Sequence, residues 1–179
     1  MNGLLAVSCW IDKINDWVGR SVGWLILLTT LICAYNAIVR KAFDISSNAF
    51  LEIQWYLFGA VFLLGAAYTL KENAHVRIDI LSNRFSEKTR LWIDIIGLLV
   101  FTLPLVGFVL VHGWTFFHNS YLINESSADA GGLLRWPAKG LIVIGFTLLG
   151  LQILSELVKK AAQLQGLMVL PAQVEGKQS

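Results

Sequence analysis

Residues 60–81 read AVFLLGAAYTLKENAHVRIDIL, an apolar run that stops at a lysine and gives way to a charged segment. Three more long apolar runs occur elsewhere, and together the uncharged stretches cover residues 21–39, 53–70, 95–111 and 140–155. With a few flanking residues each reaches the roughly 20 residues that an α-helix needs to cross about 30 Å of hydrocarbon. A chain of 179 residues that is 56% hydrophobic holds more apolar side chain than a soluble domain of this size can hide. Lipid is therefore the first partner. Lipid cannot pair with open backbone groups, and the period-2 alternation of a barrel strand is absent, so the spans form helices. The expected fold is an all-α membrane protein, one domain over residues 1–179. It has four transmembrane helices in a bundle, at about 21–41, 48–71, 89–111 and 138–158, and a tail over 159–179.

Charge sets the expected orientation. Lys13, Arg20, Lys71, Arg77, Arg84, Lys88, Arg90, Lys159, Lys160 and Lys177 fall on one side of the spans, while Arg40, Lys41, Arg135 and Lys139 fall on the other. Ten basic residues against four place both termini in the cytoplasm. The first apolar run is longer than a signal-peptide core and follows 20 residues, which reads as a retained span. The net charge of +2 says little about partners, and nucleic acid is not among those expected. Cys9 and Cys33 lie at different depths and lack metal-site spacing, which argues against a disulfide between them.

Val7, Trp10, Ile11, Ile14, Trp17 and Val18 recur at helical spacing, with Asp12, Lys13, Asn15 and Asp16 opposite. This pattern predicts an amphipathic helix over 4–18 lying in the membrane interface. The first span carries Asn36 and closes at Arg40. Ser46, Ser47 and Asn48 can cap the second, where Glu52 lies near the positive helix end and Trp55 and Tyr56 suit an aromatic belt. Gly59, Ala60, Gly65, Ala66 and Ala67 thin the second helix and mark it as the most enclosed, whereas Gly19 and Gly23 give only a weak small-xxx-small signal. Ser86 is a candidate N-cap for the third helix, and Pro104 should bend it. Residues 112–139 read as the longest outer segment, a loop held at its ends by Trp114, Phe116, Phe117, Tyr121 and Trp136.

No acidic or basic residue interrupts the uncharged core of any span, which argues against proton relay or ion coupling by this chain alone. Haem would need axial histidines from facing helices at one depth. His75 belongs to the inner loop and His112 and His118 to the outer end of the third helix, so they do not supply that pair. Glu125 and Asp129 sit in a loop without a nucleophile, phosphate cradle or metal cluster. No catalytic residue, metal or cofactor is expected. Two classes remain, a transporter subunit and a four-helix electron carrier or membrane organiser.

Four features resemble the small membrane subunit, DctQ-like, of tripartite ATP-independent periplasmic (TRAP) transporters. They are Asn36 with Arg40, Glu52 with Trp55, LGAAYTLKENAHVRIDIL over 64–81, and ESSADAGGLLRWPAKGLIVIGFTLLGLQ over 125–152. The segment holding Gly65, His75, Arg77 and Asp79 is the most specific. A departure is Val143, where relatives tend to have proline. The resemblance implies a bacterial inner-membrane protein that pairs with a large permease subunit and works with a periplasmic substrate-binding protein in sodium-coupled organic acid uptake. This chain would be the non-catalytic scaffold. Structural or interface roles are implied for Asn36, Arg40, Glu52, Trp55, Gly65, His75, Arg77, Asp79, Glu125, Gly132, Lys139 and Gln152. Arg40, Glu52, Arg77 and Asp79 are expected to hold the turns in shape or to bond to the large subunit.

Overall fold

The computed structural model describes residues 2–44, 47–72 and 86–165. These form α1 (Asn2–Phe43), α2 (Asn48–Lys71), α3 (Glu87–Ile96), a π-helical segment (Gly97–Thr102), α4 (Leu103–Leu122) and α5 (Trp136–Leu164). Since α3, the π segment and α4 run on continuously, there are four helical units, each long and apolar enough to cross a membrane.

A separate interfacial helix over 4–18 does not appear. Instead α1 is one helix of 42 residues, about 63 Å at 1.5 Å per residue, twice the thickness of the hydrocarbon. Only Gly19 and Arg20 separate residue 18 from residue 21, and a lone glycine costs about 1 kcal/mol without ending a helix, so propagation carries through. Its polar stripe is also turned the opposite way. Ser8 and Asn15 are buried, and of the apolar stripe Ile11 is buried beside them while Val7, Trp10 and Trp17 are exposed. In a lipid-facing bundle the apolar stripe meets hydrocarbon and the polar stripe finds partners on the neighbouring helix.

Helix α5 is the hub. It packs along α1, α2 and α4, and also touches α3 and the π segment. Its apolar window is the most buried of the four spans, at 28% against 11% for α2, so the enclosed helix is α5 and not the Gly/Ala-rich second one. The reason lies in where the close approaches fall. A Cβ on Gly145 of α5 would stand 2.8 Å from the Leu63 carbonyl oxygen of α2, so only a glycine lets these backbones meet. About two turns further along α5, Ile153 packs with Leu98 and Val106 in the apolar core. At α1 and α2, Gly19 takes the ring of Tyr68, whereas Gly23 has nothing against it, so the small-xxx-small spacing is half used.

Chain breaks follow local chemistry. Asp44 ends α1 at φ 53°, a left-handed position that aspartate tolerates better than most residues. Ser47 occupies the N-cap of α2 without a side-chain bond, and its carbonyl instead accepts from the Phe50 N–H at 3.2 Å. Ser86 caps α3 as expected, its hydroxyl accepting from the Thr89 N–H at 3.3 Å. Pro104 lacks an N–H and crowds the preceding turn. The helix answers with the widened turns of Gly97–Thr102, where the Thr102 hydroxyl donates to the Gly97 carbonyl at 3.3 Å.

Residues 112–122 are helical, so the outer segment is shorter than the sequence suggests. The aromatic residues expected to anchor a loop instead stack along α4. Trp114 contacts Phe117 and His118, and Tyr121 meets Trp136 edge-on with centroids 5.4 Å apart. Val143 lies well inside α5, whose first turn already holds Pro137, so the missing proline does not bear on where the helix begins.

Candidate functional site

Polar side chains gather in two layers, one at each end of the bundle. At the end carrying the N-terminus, α1 and α5 share a buried network. The Asn15 amide Nδ2 donates to Gln152 Oε1 at 2.6 Å, and Gln152 Nε2 donates to Asp12 Oδ1 at 2.9 Å and Glu156 Oε1 at 3.1 Å. Ser8 and Ser155 hydroxyls lie 2.6 Å apart, and Ser155 also donates to Asp12 at 3.0 Å. Lys159 bridges the two carboxylates, 3.1 Å from Asp12 Oδ2 and bonded to Glu156. Gln152 is wholly buried and Asn15 nearly so, which makes each of these bonds costly to lose.

The same layer extends outward on both flanks. Lys71 of α2 pairs with Asp16 of α1, and Lys160 of α5 pairs with Asp94 of α3 at 2.6 Å. All four helical units are thereby tied by charge at one level. The rise of a helix places Asp12, Glu156 and Lys159 beyond the uncharged cores, where lysine and carboxylate can still reach polar surroundings.

At the opposite end the loop 123–135 folds into a clasp. Ser126 and Leu134 form an isolated antiparallel bridge, backed by the Ser127 N–H to Leu133 carbonyl bond at 2.9 Å and the Arg135 N–H to Glu125 carbonyl bond at 2.8 Å. Gly131 supplies the turn with φ 74°, which glycine adopts freely. Glu52 of α2 holds the clasp down, its buried carboxylate accepting from the Ser127 hydroxyl and from the Leu133 N–H at 2.6 Å. Asn48 adds a bond from Nδ2 to the Ala130 carbonyl at 3.0 Å. From the α5 side Lys139 pairs with Glu125 while lying 3.9 Å over the Phe116 ring. The Lys139 ammonium, more than any other neighbour, holds the Glu125 carboxyl below its ordinary value of 4.5, with Arg135 adding to the effect.

These placements sort the residues singled out in the sequence. Glu52, Glu125, Gly132 and Lys139 come together in the clasp, where a Cβ on Gly132 would run into Ser127 and stand 2.8 Å from Glu52 Oε1. Gln152 is at the far layer. Gly65 packs beside Val22, Asn36 is half-buried, and Arg40 and Trp55 are exposed. Glu52 therefore reaches across to the loop after α4, not to the turn it shares with Arg40. His75, Arg77 and Asp79 lie outside the described residues. His112 and His118 sit on one helix, both exposed, in ring contact with Phe108 and Trp114. Among the described residues no cluster of metal-ligating side chains occurs.

Sequence reasoning missed Ser8, Asp12, Asn15, Asp94, Ser155, Glu156, Lys159 and Lys160 as a set. A weak signal exists, since Gln152, Ser155, Glu156 and Lys159 share one face of a helix at i, i+3, i+4 and i+7 spacing.

The family model for the DctQ component of tripartite ATP-independent periplasmic transporters matches residues 29–163. The chain belongs to the DctQ family. This match takes in the last third of α1, α2 to α4 and all but the last residue of α5, and so the whole clasp, while Ser8, Asp12, Asn15 and Asp16 precede it. No curated protein and no solved structure matches the chain. As a DctQ-family protein it is a transporter component with four helices built to span a membrane.

Proposed function

We propose that this DctQ-family chain is the non-catalytic scaffold subunit of a TRAP transporter. It sits in the bacterial inner membrane with both termini cytoplasmic, pairs with the large permease subunit, and helps to dock the periplasmic substrate-binding protein during sodium-coupled organic acid uptake. One observation carries the reading. Charged contacts lie at the two ends of the bundle and bind helix to helix, while the span cores between them hold apolar packing and the uncharged Cys33–Gln54 contact at 3.1 Å. A body braced at both ends is suited to staying still while a partner moves. A transport pathway would instead set ionisable groups at mid-depth.

The clasp would face the periplasm, where its exposed Ile123 and Leu134, beside Leu122 at the end of α4, offer apolar contact to the binding protein. Arg40 and Trp55, exposed at the same end, and Asn36 and Gly65 along the helices would serve the permease or the packing that supports it. His75, Arg77 and Asp79 would serve at the cytoplasmic side. Co-expression of a tagged chain with the large subunit tests the reading. A stable one-to-one complex that survives gel filtration is expected. Recovery of the tagged chain alone, from membranes that contain both proteins, would refute it.

A further inference from the structure

A recess of 580 Å³ opens on the bundle surface between α2, the π segment and α5. Its walls are small or apolar. Ala66 and Gly97 leave room, with nothing within 4 Å of where a Cβ on Gly97 would stand, and Phe101 forms one side. The π segment supplies one wall of this gap, through Gly97, Leu98, Phe101 and Thr102, and ends two residues before Pro104. At one end the lining changes to Asp94, Glu156 and Lys160, which belong to the charged layer. Phe101 lies seven residues beyond Asp94, about 10 Å deeper into the span. The recess thus has a polar mouth and an apolar floor, aligned with the membrane normal.

We infer that this recess is a phospholipid site, with one acyl chain lying against Gly97 and Phe101 and a zwitterionic, primary-ammonium headgroup at the mouth. Two observations favour that occupant over a helix of a partner protein. First, the Lys160–Asp94 pair joins α5 to α3 at 2.6 Å across the mouth, so a helix about 10 Å wide cannot run through it along the bundle axis. A flexible chain whose polar end stops at that pair can lie beneath. Second, the mouth carries both signs. Lys160 can donate to a phosphate, while Asp94 and Glu156 can accept from an ammonium group. Asp94 is paired with Lys160, and Glu156 with Lys159 and Gln152, but a carboxylate has about four acceptor positions, and an ammonium can use those left over where an anionic headgroup cannot. The surface around the recess is apolar and uncovered on this chain, with Ile96, Leu99, Val100 and Phe101 all exposed. This inference does not depend on the scaffold reading.

The test uses the full chain, purified in mild detergent and exchanged into nanodiscs of equimolar phosphatidylethanolamine and phosphatidylglycerol. Native mass spectrometry after release should show one retained phosphatidylethanolamine, preferred over phosphatidylglycerol by about tenfold. G97L and A66L should each abolish that preference, while A34L on the exposed face of α1 should not. Equal retention of the two lipids, or undiminished preference in G97L, would overturn the site. A phosphatidylethanolamine carrying a mid-chain diazirine gives a second readout on the unaltered chain. Cross-links should map to the peptide holding Gly97–Thr102, and their absence there would equally overturn it. Loss of those cross-links when the large permease subunit is bound would mean that a protein fills the recess, against the inference.

Discussion

Replacing Gln152 with leucine removes the node through which α1 and α5 are joined, and the structure sets the size of the effect. Three hydrogen bonds vanish, to Asn15 at 2.6 Å, Asp12 at 2.9 Å and Glu156 at 3.1 Å. Interhelical bonds in membrane proteins contribute on average about 0.6 kcal/mol each, which gives roughly 2 kcal/mol. The larger question is Asn15. Its Oδ1 already lacks a partner, so losing Gln152 leaves the whole amide buried and unsatisfied, worth a further ~1–3 kcal/mol. Leucine fills similar volume, so no cavity is added. The expected loss is about 3–5 kcal/mol in Q152L, and on the scale of soluble proteins of this size that lowers the melting point by roughly 6–20 °C. The assay is thermal unfolding in detergent followed by tryptophan fluorescence and gel filtration. N15L should cost less, because it removes one orphaned acceptor along with the bond. The double variant N15L/Q152L should be more stable than Q152L alone, since it takes away the stranded amide. A Q152L melting point within a degree or two of the parent, or additive losses in the double variant, would refute the network as drawn.

Three other outcomes follow from the same structure. G145V should loosen α2 from α5, because its Cβ meets the Leu63 backbone and not a movable side chain; overpacking typically costs about 1–3 kcal/mol, and a parent-like melting point would contradict the close approach. The clasp should open in acid. Glu125 has a folded-state pKa below 4.5, so its contribution is full above 4.5 and lost as pH falls through the lower folded value; a cysteine placed at half-buried Leu133, which meets Glu52 through its backbone N–H, should gain thiol reactivity there in the parent, whereas E125Q should be reactive already at neutral pH, and a flat profile in both would refute the pairing. Cysteines in the tail after Lys160 should resist an impermeant reagent in intact cells, and cysteines near Glu125 should react; the reverse pattern would overturn the orientation.

The four spans were legible because hydropathy and length depend only on composition along the chain. Ser86 was legible as a cap for the same reason, its partner Thr89 being three residues away. The polar stripe of α1 was read outward because Asp12 and Asn15 opposite Trp10 and Trp17 look the same whether the polar face meets water or another helix. Only the matching face of α5, some 140 residues later, decides between them. The hub role of α5 was hidden likewise. The many small residues of α2 pointed to enclosure, whereas a single glycine, Gly145, at the contact depth matters more than their number. Helix α4 outran expectation because Asn119 and Ser120 disfavour a helix too weakly to stop one. Glu52 gave a local signal as a helix-end carboxylate, and its real partners, Ser127 and Leu133, are 75 and 81 positions away.

The most direct test of the scaffold account is sodium-driven uptake in proteoliposomes, with the binding protein and its organic acid supplied outside. Liposomes holding both membrane subunits should accumulate substrate under an inward sodium gradient, and liposomes holding this chain alone should accumulate none above the protein-free background. Uptake by this chain alone would contradict the account, as would full uptake by the large subunit without it.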